Sequence, residues 1–150
     1  MNRRPSPLAL TILRLAVLAG LLTACAGGMK NKETLGSLEP SVMQFYEQLR
    51  WFNGEISKDY VPPAFRSAYL DSLDVAERQL SFNSITVVRI TPDKTAKKAV
   101  VRLRVSWTAK DDNILQDTLL ETTWEYHGSA WFHTKGKVVD GPRIPVLFEK

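Results

Sequence analysis

The sequence predicts an α+β fold, in which two N-terminal helices pack on a curved antiparallel sheet of about four strands. Three observations predict it. Apolar residues recur every three or four positions between about residues 40 and 80, apolar and polar residues alternate between about residues 84 and 133, and short polar turns separate the alternating segments. Helical segments that precede a meander of strands are typical of α+β domains.

The first 24 residues have the three-part pattern of a signal peptide. Arg3, Arg4 and Arg14 supply positive charge without an acidic residue. Leu15–Leu22 is an apolar run within the roughly 7–15 residues of a signal-peptide core, and it is shorter than the roughly 20 apolar residues that span a bilayer. We therefore expect residues 1–24 to be removed on export rather than to remain as a membrane helix.

Leu22-Thr23-Ala24-Cys25 resembles the lipobox of bacterial lipoproteins, in which a branched apolar residue and two small residues precede a cysteine. The resemblance implies cleavage between Ala24 and Cys25 and attachment of two or three acyl chains to Cys25, which would hold the protein at a membrane. Cys25 is the only cysteine, so lipidation would leave no spare thiol in an oxidising compartment. The alternative is a secretory peptide that leaves Cys25 unmodified.

The residue after this cysteine bears on location. The sorting rule of such lipoproteins retains those with Asp at this place in the inner membrane, so Ala26 favours the outer membrane, with the domain facing the periplasm.

The charge of the mature chain is nearly balanced. Without Arg3, Arg4 and Arg14, the 20 basic residues fall to 17 against 16 acidic ones. A nearly neutral domain lacks the basic stripe typical of nucleic-acid binding, and we expect no nucleic-acid partner.

A flexible tether and two helices are expected next. Residues 25–38 comprise the lipidated cysteine and a Gly-rich polar spacer. Because proline suits the first turn of a helix, the first helix is predicted to begin after Pro40, and Val61-Pro62-Pro63 is predicted to separate the two helices. The apolar stripe of the first helix is Val42, Phe45, Tyr46, Leu49, Phe52 and Ile56, and that of the second is Phe65, Tyr69, Leu73, Ala76 and Leu80.

The strands follow. Ser84–Ile90 is β-branched and ends at a turn over Thr91–Lys94. Two further strands, at about residues 99–108 and 117–127, are predicted to turn one set of side chains inward: Val101, Leu103, Val105, Trp107, Leu120, Thr122, Trp124 and Tyr126. Gly128-Ser129 then forms a tight hairpin into Trp131–His133. Residues 135–150 are predicted to be an extended tail, with an edge strand at Val146–Phe148.

Three segments and the order of elements resemble the nuclear-transport-factor-2-like superfamily. The segments are Phe45–Trp51 (FYEQLRW), Val61–Arg66 (VPPAFR) and Trp124–Trp131 (WEYHGSAW). The resemblance covers about residues 39–134 and implies a cone, a strongly curved sheet around a long first helix with a pocket between them. The superfamily includes isomerases, dehydratases, transport and scaffold domains and exported lipoproteins, so the fold alone does not decide the function.

A two-residue hairpin loop would place Tyr126 opposite Trp131 and Trp124 opposite His133 on the buried side of the sheet. We therefore predict a mostly aromatic pocket for a small apolar ligand, with one titratable group. The candidate pocket residues are Tyr46, Trp107, Trp124, Tyr126, Trp131 and His133.

The residues argue against catalysis in this pocket. Enzymes of the superfamily that the chain resembles use a carboxylate, alone or with histidine, as general acid or base, whereas none of the predicted inward strand residues is Asp or Glu. Asp59 remains the one candidate acid, and the alternative is that it is a solvated turn residue. His133 is a candidate for ligand contact or catalysis, and the alternative is a hydrogen-bonded, half-buried histidine at a sheet edge. His127 and His133 fall on opposite faces of the sheet, so no metal or cofactor is predicted.

We therefore expect a non-catalytic binding or scaffold module, held at a membrane through Cys25. Two alternatives stay open. One is a small pocket enzyme of the isomerase or dehydratase type, and the other is a subunit of an envelope complex, which would form a homodimer or bind an envelope protein.

Overall fold

A computed structural model describes residues 26–147, in which the helical segments precede four strands. The helices are α1 (Ala26–Arg50), α2 (Gly54–Ser57) and α3 (Arg66–Gln79), with 3-10 turns at Lys58–Tyr60 and Pro63–Phe65. The strands are β1 (Leu80–Pro92), β2 (Lys98–Ala109), β3 (Leu115–His127) and β4 (Ala130–Asp140). The chain divides into two units, Met1–Glu33 and Thr34–Lys150, and the second carries the sheet. The α+β class is thus confirmed, with three helices instead of two.

The four strands form one antiparallel sheet in the order β1-β2-β3-β4. The central pairing of β2 with β3 runs from Lys98↔Glu125 to Thr108↔Leu115 without a shift of register. Both outer pairings are interrupted twice by shifts of the kind that β-bulges cause. Because a bulge bends a strand and increases its twist, the two outer strands depart most from a flat ladder.

The core lies between the inner face of the sheet and helices α1 and α3. The inward residues predicted for β2 and β3 are buried, except that Tyr126 is only partly buried. The predicted hairpin is also confirmed, since Tyr126 pairs with Trp131 and Trp124 with His133. Within residues 31–50 of α1, the buried residues are Leu38, Val42, Phe45, Tyr46 and Leu49. Each fully buried large apolar side chain contributes about 1.5–3 kcal/mol, so this layer supplies much of the stability.

Helix α1 begins earlier than the sequence predicted. A flexible spacer was expected up to residue 38, but the helix begins at Ala26 and passes through Pro40. A proline inside a helix removes a backbone hydrogen bond, at a cost of about 3 kcal/mol. Leu38 is only 3% exposed, one helical turn before Val42, and the Trp131 indole donates a 3.0 Å hydrogen bond to the Thr34 carbonyl. These tertiary contacts offset the cost of the proline.

Helix α1 also ends earlier, at Arg50. The Phe52 amide donates to the Leu49 carbonyl and the Asn53 amide to the Gln48 carbonyl. With Phe52 at a φ of 53°, these two bonds form a Schellman motif, which terminates a helix. The predicted apolar stripes are therefore wrong at their ends: Ile56 and Phe65 are exposed, and Leu80 is the buried first residue of β1.

The C-terminal residues are not the extended tail that the sequence predicted from residue 135. Strand β4 continues to Asp140, and Gly136 lies within it, paired with Thr122. Val146 and Leu147 are not in a strand, and Phe148 lies outside the described residues. Ile144 and Leu147 are buried in the core. Tertiary burial explains the difference, because these two side chains fill space beside residues distant in sequence.

The predicted signal peptide, its cleavage site at Ala24 and the lipid attachment site at Cys25 lie outside the described residues. Across residues 26–147, no helix combines the length and the apolar character needed to cross a bilayer.

Candidate ligand cavity

A cavity of about 460 Å³ lies between the segment that leads into α3, strand β4 and the C-terminal residues of the described chain. Its volume falls within the roughly 300–1,000 Å³ typical of small-molecule sites. The lining residues are Val61, Pro62, Phe65, Ala68, Tyr69, Ser72, His133, Thr134, Lys135, Gly136, Val146 and Leu147.

The wall nearest the helices is shaped by the prolines between α2 and α3. Val61 is extended and Pro63 begins the 3-10 turn that precedes α3. The Arg66 guanidinium donates a 3.1 Å hydrogen bond from Nε to the Val61 carbonyl, which ties the start of α3 back to this segment. Phe65 stands at the junction and is 61% exposed. An exposed aromatic ring thus borders the cavity beside a fixed backbone turn.

The wall on β4 is shaped by a bulge. The register shifts between the pairs Thr123↔Lys135 and Trp124↔His133, so Thr134 is the additional residue. Its hydroxyl donates a 3.2 Å hydrogen bond to the Thr123 carbonyl. Bulges re-aim side chains at the edges of sheets, and four consecutive residues of β4 around this one, His133–Gly136, line the cavity.

His133 connects the cavity with the aromatic core. Its ring stacks on Phe45 at a centroid distance of 5.1 Å and meets Trp124 edge to face at 5.8 Å. Burial lowers the pKa of His133 to about 4, because a charged imidazolium is poorly solvated there. The imidazole is therefore neutral at pH 7.

Tyr69 is held by a chain of hydrogen bonds. Its hydroxyl donates to the Ser57 hydroxyl at 2.8 Å, and the Ser57 hydroxyl donates to the Asn53 carbonyl at 2.8 Å. Burial raises the pKa of Tyr69 to about 12, so the phenol stays protonated. Ser57 is fully buried. The sequence placed Tyr69 on an apolar stripe but gave no sign of this hydroxyl relay, which links residues of two helices.

Most of the predicted pocket is packed core. Tyr46, Trp107, Trp124 and Trp131 are all buried, and Tyr126 packs on Trp131 with ring centroids 5.4 Å apart. Of the six predicted pocket residues, His133 is the one that lines the described cavity. Strand parity correctly identified inward residues, but it could not show that Phe45 of α1 fills the space beside Trp124, at a centroid distance of 5.5 Å.

Asp59, the candidate acid, and His127 both lie away from the cavity. Asp59 is exposed on a 3-10 turn, with its carboxylate 3.9 Å from the Arg66 guanidinium. His127 is exposed and its Nε2 lies 3.1 Å from the Glu125 carboxylate. Among residues 26–147, no group of three or more His, Cys, Asp or Glu side chains is arranged to hold a metal ion.

No protein-family model and no curated protein matches the chain. Among solved structures, a conserved protein from Planctomyces limnophilus DSM 3776 is 10% identical with a TM-score of 0.49, over 66% of this chain and 89% of that one. The intermembrane space region of the chloroplast protein ARC6 is 12% identical with a TM-score of 0.50, over 68% of this chain and 93% of that one. At this identity the likeness to the ARC6 region concerns the fold alone.

Proposed function

We propose that this chain is a membrane-anchored binding module whose cavity takes a small apolar ligand and performs no chemistry on it. The observation that carries the proposal is the lining of the cavity. Most of the side chains there are aliphatic or aromatic, and none of the lining residues is Asp or Glu. Binding sites for small molecules are typically apolar with a few polar groups that fix orientation.

Two titratable groups on the wall, His133 and Tyr69, support a neutral ligand, and the third, Lys135, is exposed. The His133 imidazole and the Tyr69 phenol are both uncharged at pH 7, because burial shifts the pKa of the first down and of the second up. Ser72 and Thr134 add hydroxyl groups. The cavity therefore offers hydrogen bonds to an uncharged polar atom and apolar surface to the body of the ligand. It offers no carboxylate to accept a proton during a reaction.

The uncharged fluorophore N-phenyl-1-naphthylamine tests this proposal. We expect its fluorescence to rise on binding, and Ala68→Trp to weaken binding by about tenfold or more, because the indole occupies the cavity. Ala64→Trp is the matched control, since Ala64 is also exposed but does not line the cavity. No binding by the unaltered protein, or equal binding by both variants, would contradict the proposal.

Lipid attachment at Cys25 is the second part of the proposal. It is supported by the resemblance of Leu22–Cys25 to a lipobox and by the absence of another cysteine. Mass spectrometry of the mature protein should show an acylated Cys25 at the amino terminus, and Cys25→Ser should release the protein from the membrane fraction. An intact Met1 or a free Cys25 thiol would overturn this part. Ala26 further suggests the outer membrane, with the domain in the periplasm.

We also propose that the domain belongs to the nuclear-transport-factor-2-like superfamily. The order of helices and strands supports this, as does the packing of Phe45 on α1 against Trp124 on β3. An experimental structure with the sheet wrapped around α1 would strengthen the assignment, and a flat sheet would remove it.

One observation favours a second candidate, a pocket enzyme of the isomerase or dehydratase type, because His133 lines the cavity. Turnover that disappears in His133→Ala but persists in Asp59→Ala, with fluorophore binding unchanged, would favour the enzyme.

A subunit of an envelope complex is the third candidate. Purification from membranes with a stoichiometric partner would favour it, and a lone monomer would count against it.

A further inference from the structure

We infer that the outward face of strands β1 and β2 docks on an anionic lipid surface and thereby sets which side of the domain faces the membrane. This arginine face comprises Arg89, Arg102 and Arg104 with the exposed valines Val88 and Val100. The inference rests on the lipid attachment proposed above, but it concerns a part of the molecule that is separate from the cavity.

A bulge in β1 creates the most highly charged part of the arginine face. Val87 pairs with Leu103 at an inward position and Arg89 pairs with Arg102, so Val88 is the additional residue. In a regular ladder Arg89 would fall at an inward position, and the bulge turns it outward instead. Two arginines therefore lie directly opposite each other on neighbouring strands.

Most of the positive charge on the arginine face is not neutralised. Arg102 forms an ion pair with Glu121, whereas Arg89 and Arg104 form no ion pair within the described part of the chain. Strands β1 and β2 contain no acidic residue. Like charges in directly opposite positions destabilise a sheet. An anionic surface would relieve this repulsion.

The other side of the domain carries the opposite charge. After its first turn, α3 has three exposed acidic residues, Asp71, Asp74 and Glu77, and one exposed basic residue, Arg78. Helix α3 packs on the inner face of the sheet, so its exposed side chains point away from the arginine face. An anionic surface therefore attracts one side of the domain and repels the other.

The apolar residues of the arginine face favour a lipid surface. Val88 is 55% exposed and Val100 is 43% exposed. Binding at a membrane interface grows with the apolar area buried and with the attraction of basic residues to anionic lipids. Residues 25–34, which connect the proposed anchor to the unit that carries the sheet, span at most about 30 Å even when fully extended. The anchor would thus keep the arginine face close to the membrane.

Fluorescence quenching in vesicles tests this docking on the full acylated chain. Thr86→Cys places a bimane fluorophore on the exposed position opposite Arg104, and Ser67→Cys places it on an exposed position of α3. The vesicles contain phosphatidylcholine with a nitroxide quencher on its head group, with or without phosphatidylglycerol. We expect quenching at Thr86→Cys alone, and only with phosphatidylglycerol. It should disappear in 1 M salt, where the Debye length is about 3 Å.

Removal of two arginines identifies the groups that dock. Arg89→Gln with Arg104→Gln, added to Thr86→Cys, should lower the docking equilibrium constant by about 25-fold, because each basic residue near an anionic surface contributes about fivefold. Arg78→Gln with Arg143→Gln is the matched control, since it removes the same charge from exposed positions outside β1 and β2. The control should leave docking within about twofold, because charges beyond a Debye length are screened.

Equal quenching of the two labels, quenching without phosphatidylglycerol, or equal effects of the two double variants would overturn the docking. Disulfide cross-linking of Thr86→Cys between copies in phosphatidylcholine alone would assign the arginine face to a second copy and would overturn it as well.

Failure of the anchor has a separate signature. If the chain without an added cysteine reacts with the fluorophore, Cys25 is not acylated and the proposed lipid attachment fails. Flotation of that chain with vesicles then decides the docking. Recovery only with vesicles that contain phosphatidylglycerol supports the arginine face, and no recovery overturns it.

Discussion

Tyr46 and Thr122 show how a polar pair is accommodated inside an aromatic core. Their hydroxyl groups are 2.7 Å apart and both residues are buried. Burial raises the pKa of Tyr46 far above its usual range, so the phenol remains neutral. Thr122 lies on an inward position of β3 among apolar neighbours, and the hydrogen bond removes the cost of leaving either hydroxyl without a partner.

We expect Tyr46→Phe to lower the free energy of unfolding by about 1 kcal/mol, because the Thr122 hydroxyl loses the partner at 2.7 Å and keeps only the 3.4 Å hydrogen bond that it donates to the Val101 carbonyl. Thr122→Val added to Tyr46→Phe should cost less than the sum of the two single changes. Urea unfolding of the four proteins measures this coupling. Additive losses would show that the hydrogen bond contributes nothing to stability.

His133 predicts a dependence of stability on pH. Burial lowers its pKa from 6.5 to about 4, so between these values the unfolded chain binds a proton that the folded chain does not. Stability is therefore complete above pH 6.5 and is lost as the pH falls towards 4. The loss is on the order of 3 kcal/mol at most.

His133→Gln should flatten this dependence, whereas His127→Gln, at an exposed position, should leave it in place. Chemical unfolding between pH 7 and pH 4.5 measures the effect. Carboxylates with lowered pKa, such as Glu121 and Glu125, lose their stabilising effect only below this window. A slope that persists unchanged in His133→Gln would show that another group titrates.

At the scale of the element, the early start of α1 can be tested with two leucines. Leu38 is buried and Leu35 is exposed on the same helix. Leu38→Ala should lower the free energy of unfolding by about 2–5 kcal/mol, because it opens a cavity against the sheet. Leu35→Ala should change it by less than about 1 kcal/mol. Equal, small effects of both substitutions would support the predicted flexible spacer up to residue 38 and contradict the early start of α1.

The strands were more predictable than the helix ends. Alternation in β2 and β3 reports burial directly, because one face of each strand packs on the core and the other bears charge. On the outward face, Glu121 of β3 lies opposite Arg102 of β2 and forms an ion pair with it. The start of α1 was missed because local composition and Pro40 indicate a boundary, while Leu38 is buried by residues distant in sequence.

The cavity was less predictable for the same physical reason. Its walls join Val61, Phe65 and Leu147, which no local pattern connects. The bulge at Thr134 has no characteristic sequence pattern. Val146 has a φ of 68°, and its sequence does not show this because Gly, Asn or Asp would ordinarily mark a positive φ. His133 was found because hairpin register extends reliably from a two-residue turn.

At the scale of the molecule, the structure moves the domain boundaries beyond the predicted range of 39–134. That fragment lacks Leu38, Ile144 and Leu147 from the core and the second half of β4. Burial contributes about 1.5–3 kcal/mol for each of these three side chains, or about 5–9 kcal/mol together. This loss is comparable with the whole stability of a small domain, about 5–15 kcal/mol. We expect a fragment 39–134 to be unfolded and a fragment 26–150 to fold. Thermal denaturation followed by circular dichroism checks this, and a cooperative transition in the shorter fragment would contradict it.

The bulges in the outer strands have a consequence for association between copies of the protein. β1 and β4 are the two edges of the sheet, and the edge of a regular sheet presents backbone groups that can pair with another chain. The register shifts in both outer pairings break that template, whereas the uninterrupted β2–β3 ladder is enclosed. If lipid confines many copies to a two-dimensional layer, collisions between edges become frequent. The shifts then act as a safeguard against edge-to-edge aggregation, and the copies stay separate.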